Sequence, residues 1–95
     1  MRILVYGLGE SGVAATRVLT ERGERVLVAD AGDDERLRET LAALNVPGVL
    51  GACPEVLEGI DRIIASPGVS PRNPVLRTAG ARGIPIVSEV GLGLE

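Results

Sequence analysis

The glycines near the start of the chain have the spacing of a phosphate-binding turn. An apolar run over residues 3–6 leads directly into Gly7-x-Gly9-x-x-Gly12, and a helical pattern follows at once. In such a turn the first glycine permits the tight bend, the second lets the backbone approach the ligand, and the third lets the helix pack closely. The helix then points free N–H groups and a partial positive charge at the ligand. A glycine turn that holds no ligand is the alternative interpretation.

Two residues at the tip of this turn, Glu10 and Ser11, are the expected phosphate donors through their backbone N–H groups. The Ser11 hydroxyl either adds a contact or only caps the helix. The Glu10 carboxylate would repel a phosphate, so we expect its side chain to point to solvent.

Two further candidates follow later apolar runs. Asp30 closes the run that ends about 20 residues after the glycines, where an acidic side chain accepts hydrogen bonds from ribose in dinucleotide-binding folds. Its alternative role is a turn or cap residue before the next helix.

In Ser66-Pro67-Gly68, Pro67 keeps Ser66 extended and Gly68 can adopt a positive φ. This loop offers a hydroxyl and backbone N–H groups to a ligand, or it is an ordinary turn.

Composition excludes several kinds of chemistry. The 95 residues include no His, Lys, Phe or Trp, and all ten basic residues are Arg. A Walker-type phosphate loop, a Ser-His-Asp triad and a His/Cys zinc cluster are therefore impossible, and we expect no catalytic residue and no metal site. The net charge of −3 argues against nucleic acid, and no apolar run approaches the roughly 20 residues of a membrane span. With a single cysteine, Cys53, and no recognisable signal peptide, we expect a cytoplasmic protein.

Strands alternate with helices along the chain, which predicts an α/β fold. We expect one domain over residues 1–95, a Rossmann-like five-stranded parallel sheet of order 3-2-1-4-5 flanked by helices. The first helix is expected to bury Val13, Ala14, Val18 and Leu19. Strands are predicted at 2–6, 25–29, 49–50, 62–65 and 84–87. The last strand is expected at an edge of the sheet because it contains Pro85. Helices are predicted at 10–22, 33–44 and 74–83, with one helical turn within 54–60. Ligands bind where strands 1 and 4 meet, so the two loops should face each other there.

Several of these motifs together resemble the N-terminal domain of Mur ligases, and most of all the branch that adds D-glutamate in peptidoglycan biosynthesis. The likeness covers the whole chain, and its most specific parts are the Ser-Pro-Gly turn followed by Asn-Pro and the exit of the last strand. The motifs are Val5 to Gly12, Asp30, Ala65-Ser66-Pro67-Gly68, Asn73-Pro74 and Gly83-Ile84-Pro85-Ile86-Val87-Ser88-Glu89.

The resemblance implies a domain cut from a three-domain ligase. This domain would hold the UDP part of UDP-N-acetylmuramoyl-L-alanine and be inactive alone, while a central domain binds ATP and magnesium and a C-terminal domain brings D-glutamate. We also expect a monomer.

The resemblance also implies roles for individual residues. The N–H groups of Glu10 and Ser11 would meet the diphosphate, and Asp30 with the following turn would meet uracil and ribose. The family often has a polar or basic pair after this aspartate, so Ala31-Gly32 would contribute backbone contacts only. The expected substrate-binding residues are Gly9, Glu10, Ser11, Gly12, Asp30, Ala31, Gly32, Ser66, Pro67 and Gly68. Two alternatives remain: an NAD-binding domain of a dehydrogenase or redox-sensing regulator, and a small interaction module that binds no nucleotide.

Overall fold

Five strands, three α-helices and a short 3-10 helix make up the part of the chain, residues 2–66, 69–70 and 72–87, that a computed structural model describes. In chain order they are β1 Arg2–Tyr6, α1 Glu10–Glu21, β2 Arg25–Asp30, α2 Glu35–Leu44, β3 Gly48–Leu50, the 3-10 helix Pro54–Leu57, β4 Arg62–Ala65, α3 Pro74–Ala81 and β5 Ile86–Val87. The strands are parallel and lie in the order β3-β2-β1-β4-β5, which confirms the predicted fold class. None of the described helices has the length and apolarity needed to cross a bilayer.

The central strand β1 is buried on both faces of the sheet. Leu4 and Tyr6 pack on the side covered by α3 and the 3-10 helix, whereas Ile3 and Val5 pack on the side covered by α1. This two-sided burial explains why the strand is a continuous apolar run rather than an alternating one. The chain leaves β1 towards β2 and returns to β4 on the other side, so the topological switch point lies between β1 and β4.

The buried face of α1 differs from the predicted one. Only Leu19 of the four expected residues is fully buried; the face consists of Gly12, Ala15, Thr16 and Leu19. These positions follow the helical i, i+3, i+4, i+7 spacing, and the three small residues let the helix approach the sheet closely. The Thr16 hydroxyl is satisfied inside the helix because it donates to the Gly12 carbonyl at 2.8 Å.

Side chains cap the other two helices. The Asp34 carboxylate accepts from the Leu37 N–H at 2.9 Å at the start of α2, and the Asn73 side chain accepts from the Val75 N–H at 2.8 Å at the start of α3. Such caps satisfy N–H groups that have no partner within the helix.

Both edge strands are short and begin immediately after a proline. β3 has three residues and β5 has two. The carbonyls of Pro47 and Pro85 accept from Val28 and Ile63 of the neighbouring strands at 3.0 and 2.9 Å. The prediction of an edge strand over 84–87 is therefore right about its place and wrong about its start, since the regular strand begins after Pro85.

The side chain of Tyr6 is the largest of those buried almost completely. Its hydroxyl has no hydrogen-bond partner among the described residues. Burial raises the pKa of this phenol above its ordinary value, the nearby Asn73 side chain lowers it in part, and the negative charge of Asp30 raises it further. The neutral phenol is thus favoured in the folded protein.

We expect the stability of the domain to fall at alkaline pH because of Tyr6. Since the pKa is higher in the folded than in the unfolded state, the stabilisation is complete below the ordinary tyrosine pKa of about 10 and is lost as the pH rises through the folded pKa. The chain has one Tyr and no Trp, so tyrosinate absorbance reports this group alone. Urea unfolding across the alkaline range should show the loss in the unaltered protein and not in Tyr6→Phe. Titration of the folded protein at the ordinary value would contradict this prediction.

Candidate functional site

The N-terminus of α1 has no side-chain cap. Gly9 occupies the N-cap position in an extended conformation, with φ −78° and ψ −174°, and the first helical hydrogen bond runs from Val13 to its carbonyl at 3.0 Å. Among the described residues, no acceptor is bonded to the N–H groups of Glu10, Ser11 or Gly12. Three free donors at the positive end of a helix form an anion-binding arrangement. Because Gly9 holds the cap position, the alternative in which Ser11 only caps the helix is wrong.

The three glycines of the loop are required for different reasons. Gly7 has φ +103°, and a Cβ there would lie 2.7 Å from the Ser66 hydroxyl oxygen. A Cβ at Gly12 would overlap the Gly7 carbonyl oxygen, so this glycine allows the helix to approach the loop. A Cβ at Gly9 would meet nothing within 4 Å. Gly7 and Gly12 are therefore needed by the fold, whereas the space beside Gly9 is open to a ligand.

Asp30 connects the end of β2 to the glycine loop. One carboxylate oxygen accepts from the Leu8 N–H at 2.8 Å, and the other accepts from the Gly32 N–H at 2.8 Å. The bond from the Gly32 N–H confirms that Asp30 has the turn role considered from the sequence. The bond from the Leu8 N–H, which ties Asp30 to the glycine loop, was not predicted. Each carboxylate oxygen can accept more than one hydrogen bond, so the geometry leaves acceptor capacity for a ribose hydroxyl.

Ser66 connects the end of β4 to the same loop across the switch point. Its hydroxyl donates to the Gly7 carbonyl at 3.2 Å, and its N–H donates to the Tyr6 carbonyl at 3.0 Å. The predicted meeting of the two loops is confirmed at Ser66. The other two residues of that prediction, Pro67 and Gly68, lie outside the described residues.

A cleft of about 560 Å³ lies between α1 and α2 and opens at the glycine loop. Of the predicted site residues it brings together Gly9, Glu10 and Asp30; Glu10 is exposed and borders it. Ser11, Gly12, Ala31, Gly32 and Ser66 do not line it. Its wall also includes residues that sequence reasoning did not assign to a site: Leu8, Val13, Ala14, Arg17, Asp34, Arg36, Leu37 and Thr40.

The cleft exists because α2 is not packed tightly onto α1. No residue of α2 is fully buried, and Leu37, Leu41 and Leu44 reach the core only in part. On α1, the lining residues Glu10, Val13, Ala14 and Arg17 follow an i, i+3, i+4, i+7 pattern. This spacing could have indicated that the four residues share one face of α1 beside a cleft. The same spacing is also typical of a helix face that packs in the core, and Val13 and Ala14 were predicted to lie in the core for that reason.

Comparison with known proteins places this arrangement in a family. The model of the Mur ligase MurD-like N-terminal domain matches residues 1–88. The UDP-N-acetylmuramoylalanine--D-glutamate ligase of Rubrobacter xylanophilus is 66% identical over 94 residues, which are 99% of this chain and 21% of that protein. The ligase of the same name from a Synechococcus species is 39% identical over 95 residues, covering 97% of this chain and 20% of that protein. The chain thus spans about a fifth of the length of these relatives.

A solved structure shares the fold. The UDP-N-acetylmuramate:L-alanyl-gamma-D-glutamyl-meso-diaminopimelate ligase of Neisseria meningitides superposes with a TM-score of 0.75 at 20% identity, over 92% of this chain and 28% of that one. At this identity the likeness concerns the fold alone.

We expect Asp30→Ala to destabilise the domain by about 2 kcal/mol, because it leaves the Leu8 and Gly32 N–H groups without their acceptor. Asp33→Ala is the matched control: its carboxylate forms an exposed ion pair with Arg38 at 3.0 Å, a kind of contact worth about 0.5 kcal/mol. Urea unfolding of both variants measures the difference. Equal losses would show that the Asp30 carboxylate does not hold the loop.

Proposed function

Because the chain belongs to the family of Mur ligase MurD-like N-terminal domains, we propose that it is the UDP-sugar-binding domain of an ATP-dependent ligase that joins D-glutamate to UDP-N-acetylmuramoyl-L-alanine in peptidoglycan biosynthesis. The observation that carries the proposal is the row of free N–H groups at the start of α1, whose first residue, Glu10, borders the cleft that holds Asp30. In this proposal residues 1–95 form one domain without activity of its own. Parts of the ligase outside this chain bind ATP, magnesium and D-glutamate and form the amide bond.

The diphosphate lies at the N-terminus of α1. The N–H groups of Glu10, Ser11 and Gly12 donate to its oxygens, and the helix dipole adds a favourable interaction with the negative charge. Hydrogen bonds to a charged group contribute about 1.5–3 kcal/mol each, so two or three of them would hold the diphosphate. The exposed Glu10 carboxylate can turn to solvent and so avoid the phosphate oxygens.

The nucleoside occupies the cleft between α1 and α2. Leu8, Val13 and Leu37 supply apolar contacts for the faces of the base, and Asp30 accepts from the ribose. The volume of the cleft, about 560 Å³, is within the range of small-molecule sites. The turn Ala31-Gly32 follows Asp30 directly and has no polar side chain, so any contact it makes with the nucleoside comes from its backbone.

The muramoyl sugar extends in the other direction, towards Ser66. The hydrogen bond from the Ser66 hydroxyl to the Gly7 carbonyl supports this, because it brings Ser66 to the glycine loop. The domain's contribution to the reaction is then to hold the UDP-sugar so that its L-alanyl carboxylate reaches the chemistry elsewhere in the ligase, which lowers the entropic part of the barrier.

The similarity to ligases does not favour the alternative of a dehydrogenase domain. The net charge of −3 supports the part of the proposal in which nucleic acid is not a partner. A cytoplasmic location is also part of the proposal, since ATP and a UDP-sugar are the substrates that it implies.

An amide NMR titration with UDP, UDP-N-acetylmuramoyl-L-alanine and NADH tests the proposal. We expect shifts at Gly9 to Gly12, Asp30 and Ser66 with the two uridine ligands and not with NADH. A well-folded chain that ignores millimolar UDP and its sugar derivative would contradict the proposal, and a response to NADH alone would favour a redox function.

We expect Gly9→Val to abolish these shifts while the fold persists, because the extended backbone accepts a side chain that would then occupy the open space beside the phosphate site. Gly80→Val is the matched control, since a Cβ at this exposed position of α3 also meets nothing within 4 Å and lies away from the loop. Normal binding by Gly9→Val would overturn the phosphate assignment.

Ser66→Ala should weaken binding by about 1 kcal/mol, which is the contribution of one net hydrogen bond.

A further inference from the structure

Two arginines border the cleft from opposite walls. Arg17 belongs to α1 and Arg36 to α2, and both side chains are exposed. Among the described residues neither guanidinium takes part in an ion pair, whereas Arg38, two residues along α2, pairs with Asp33 at 3.0 Å. The cleft therefore contains two cations whose donors have no carboxylate partner in the described part of the chain.

Three of the other polar side chains of the cleft form hydrogen bonds within the protein, whereas the exposed Glu10 carboxylate has no partner among the described residues. The Thr40 hydroxyl donates to the Arg36 carbonyl at 2.9 Å, and one Asp34 oxygen accepts from the Leu37 N–H. Both Asp30 oxygens already accept from backbone N–H groups. The free side-chain donors that line the cleft are thus the two guanidinium groups, which donate hydrogen bonds and cannot accept them.

The arginines lie where a nucleobase would be, not where the phosphates would be. Arg17 is seven residues after Glu10, about 10 Å along the helix from the free N–H groups. It belongs to the face of α1 that lines the cleft. Arg36 lies in the first turn of α2 and lines the same cleft as Asp30, the last residue of β2. With a diphosphate on α1, these groups would border the base and ribose.

We propose that Arg17 and Arg36 determine which base the cleft accepts, by donating to carbonyl oxygens on its edge. Uracil presents its O4 carbonyl oxygen where cytosine presents the N4 amino group and adenine the N6 amino group, and an amino group is itself a donor that leaves a guanidinium unsatisfied. The discriminating contact is therefore the one to O4, because cytosine shares the O2 carbonyl of uracil. A site built from donors thus favours a uridine nucleotide over its cytidine and adenosine counterparts. This inference rests on the proposed function and assigns base selection to side chains, in place of the turn Ala31-Gly32.

The test compares the affinities of the 95-residue chain for UDP, CDP and ADP by NMR titration at constant salt. The unaltered chain should prefer UDP. In Arg17→Ala/Arg36→Ala the ratio of the UDP to the CDP affinity should fall about tenfold, as expected for the loss of one good base contact. Each single variant should show part of this loss. Arg38→Ala is the matched control on the same helix, and it should leave the ratio unchanged because Arg38 does not line the cleft.

The outcomes separate the inference from the proposed function. An equal loss for UDP and CDP would mean that the guanidinium groups bind phosphate, and it would overturn the inference while leaving the proposed function intact. An unchanged affinity ratio in the double variant would also overturn the inference alone. Failure of the unaltered chain to bind UDP would overturn both.

Discussion

The carboxylate of Asp30 connects the two parts of the molecule on which the site depends. It accepts from the Leu8 N–H of the glycine loop and from the Gly32 N–H of the turn after β2, at 2.8 Å each. Because α1 starts in the first of these loops and α2 starts soon after the second, one side chain determines how the two helices enter the structure. The cleft between them, and the direction in which the free N–H groups of α1 point, follow from that placement.

Small residues then determine how closely α1 can approach. Gly12 lies against the Gly7 carbonyl, and Ala15 and Thr16 continue the same face onto the sheet. The close approach brings the N-terminus of α1 to the switch point between β1 and β4, where Ser66 reaches the loop from the other side. The helix α2 has no such face, and its partial burial leaves the cleft open. The site therefore results from one helix that packs tightly and one that does not.

The sequence predicted the strand order, the element types and the glycine loop, because these depend on local patterns and on the single handedness of parallel connections. It did not predict the buried face of α1. Val13 and Val18 are more hydrophobic than Gly12 and Thr16, but the sheet selects the smaller residues for closeness of approach. The cleft residues of α2 were out of reach for a related reason: Arg36 and Thr40 look like an ordinary solvated face until the distance between two helices is known. Local hydrogen bonds such as that of Asp30 to Leu8 depend on tertiary geometry and leave no periodic signal.

The two edge strands have a consequence for how copies of the protein meet one another. An exposed strand edge is a template on which a second molecule can extend the sheet, and this is a common route to aggregation. Here β3 and β5 have only three and two residues, and each begins directly after a proline. A molecule that approached the β3 edge would find few free backbone groups in line. The brevity of β3 therefore protects this edge of the sheet from edge-to-edge polymerisation.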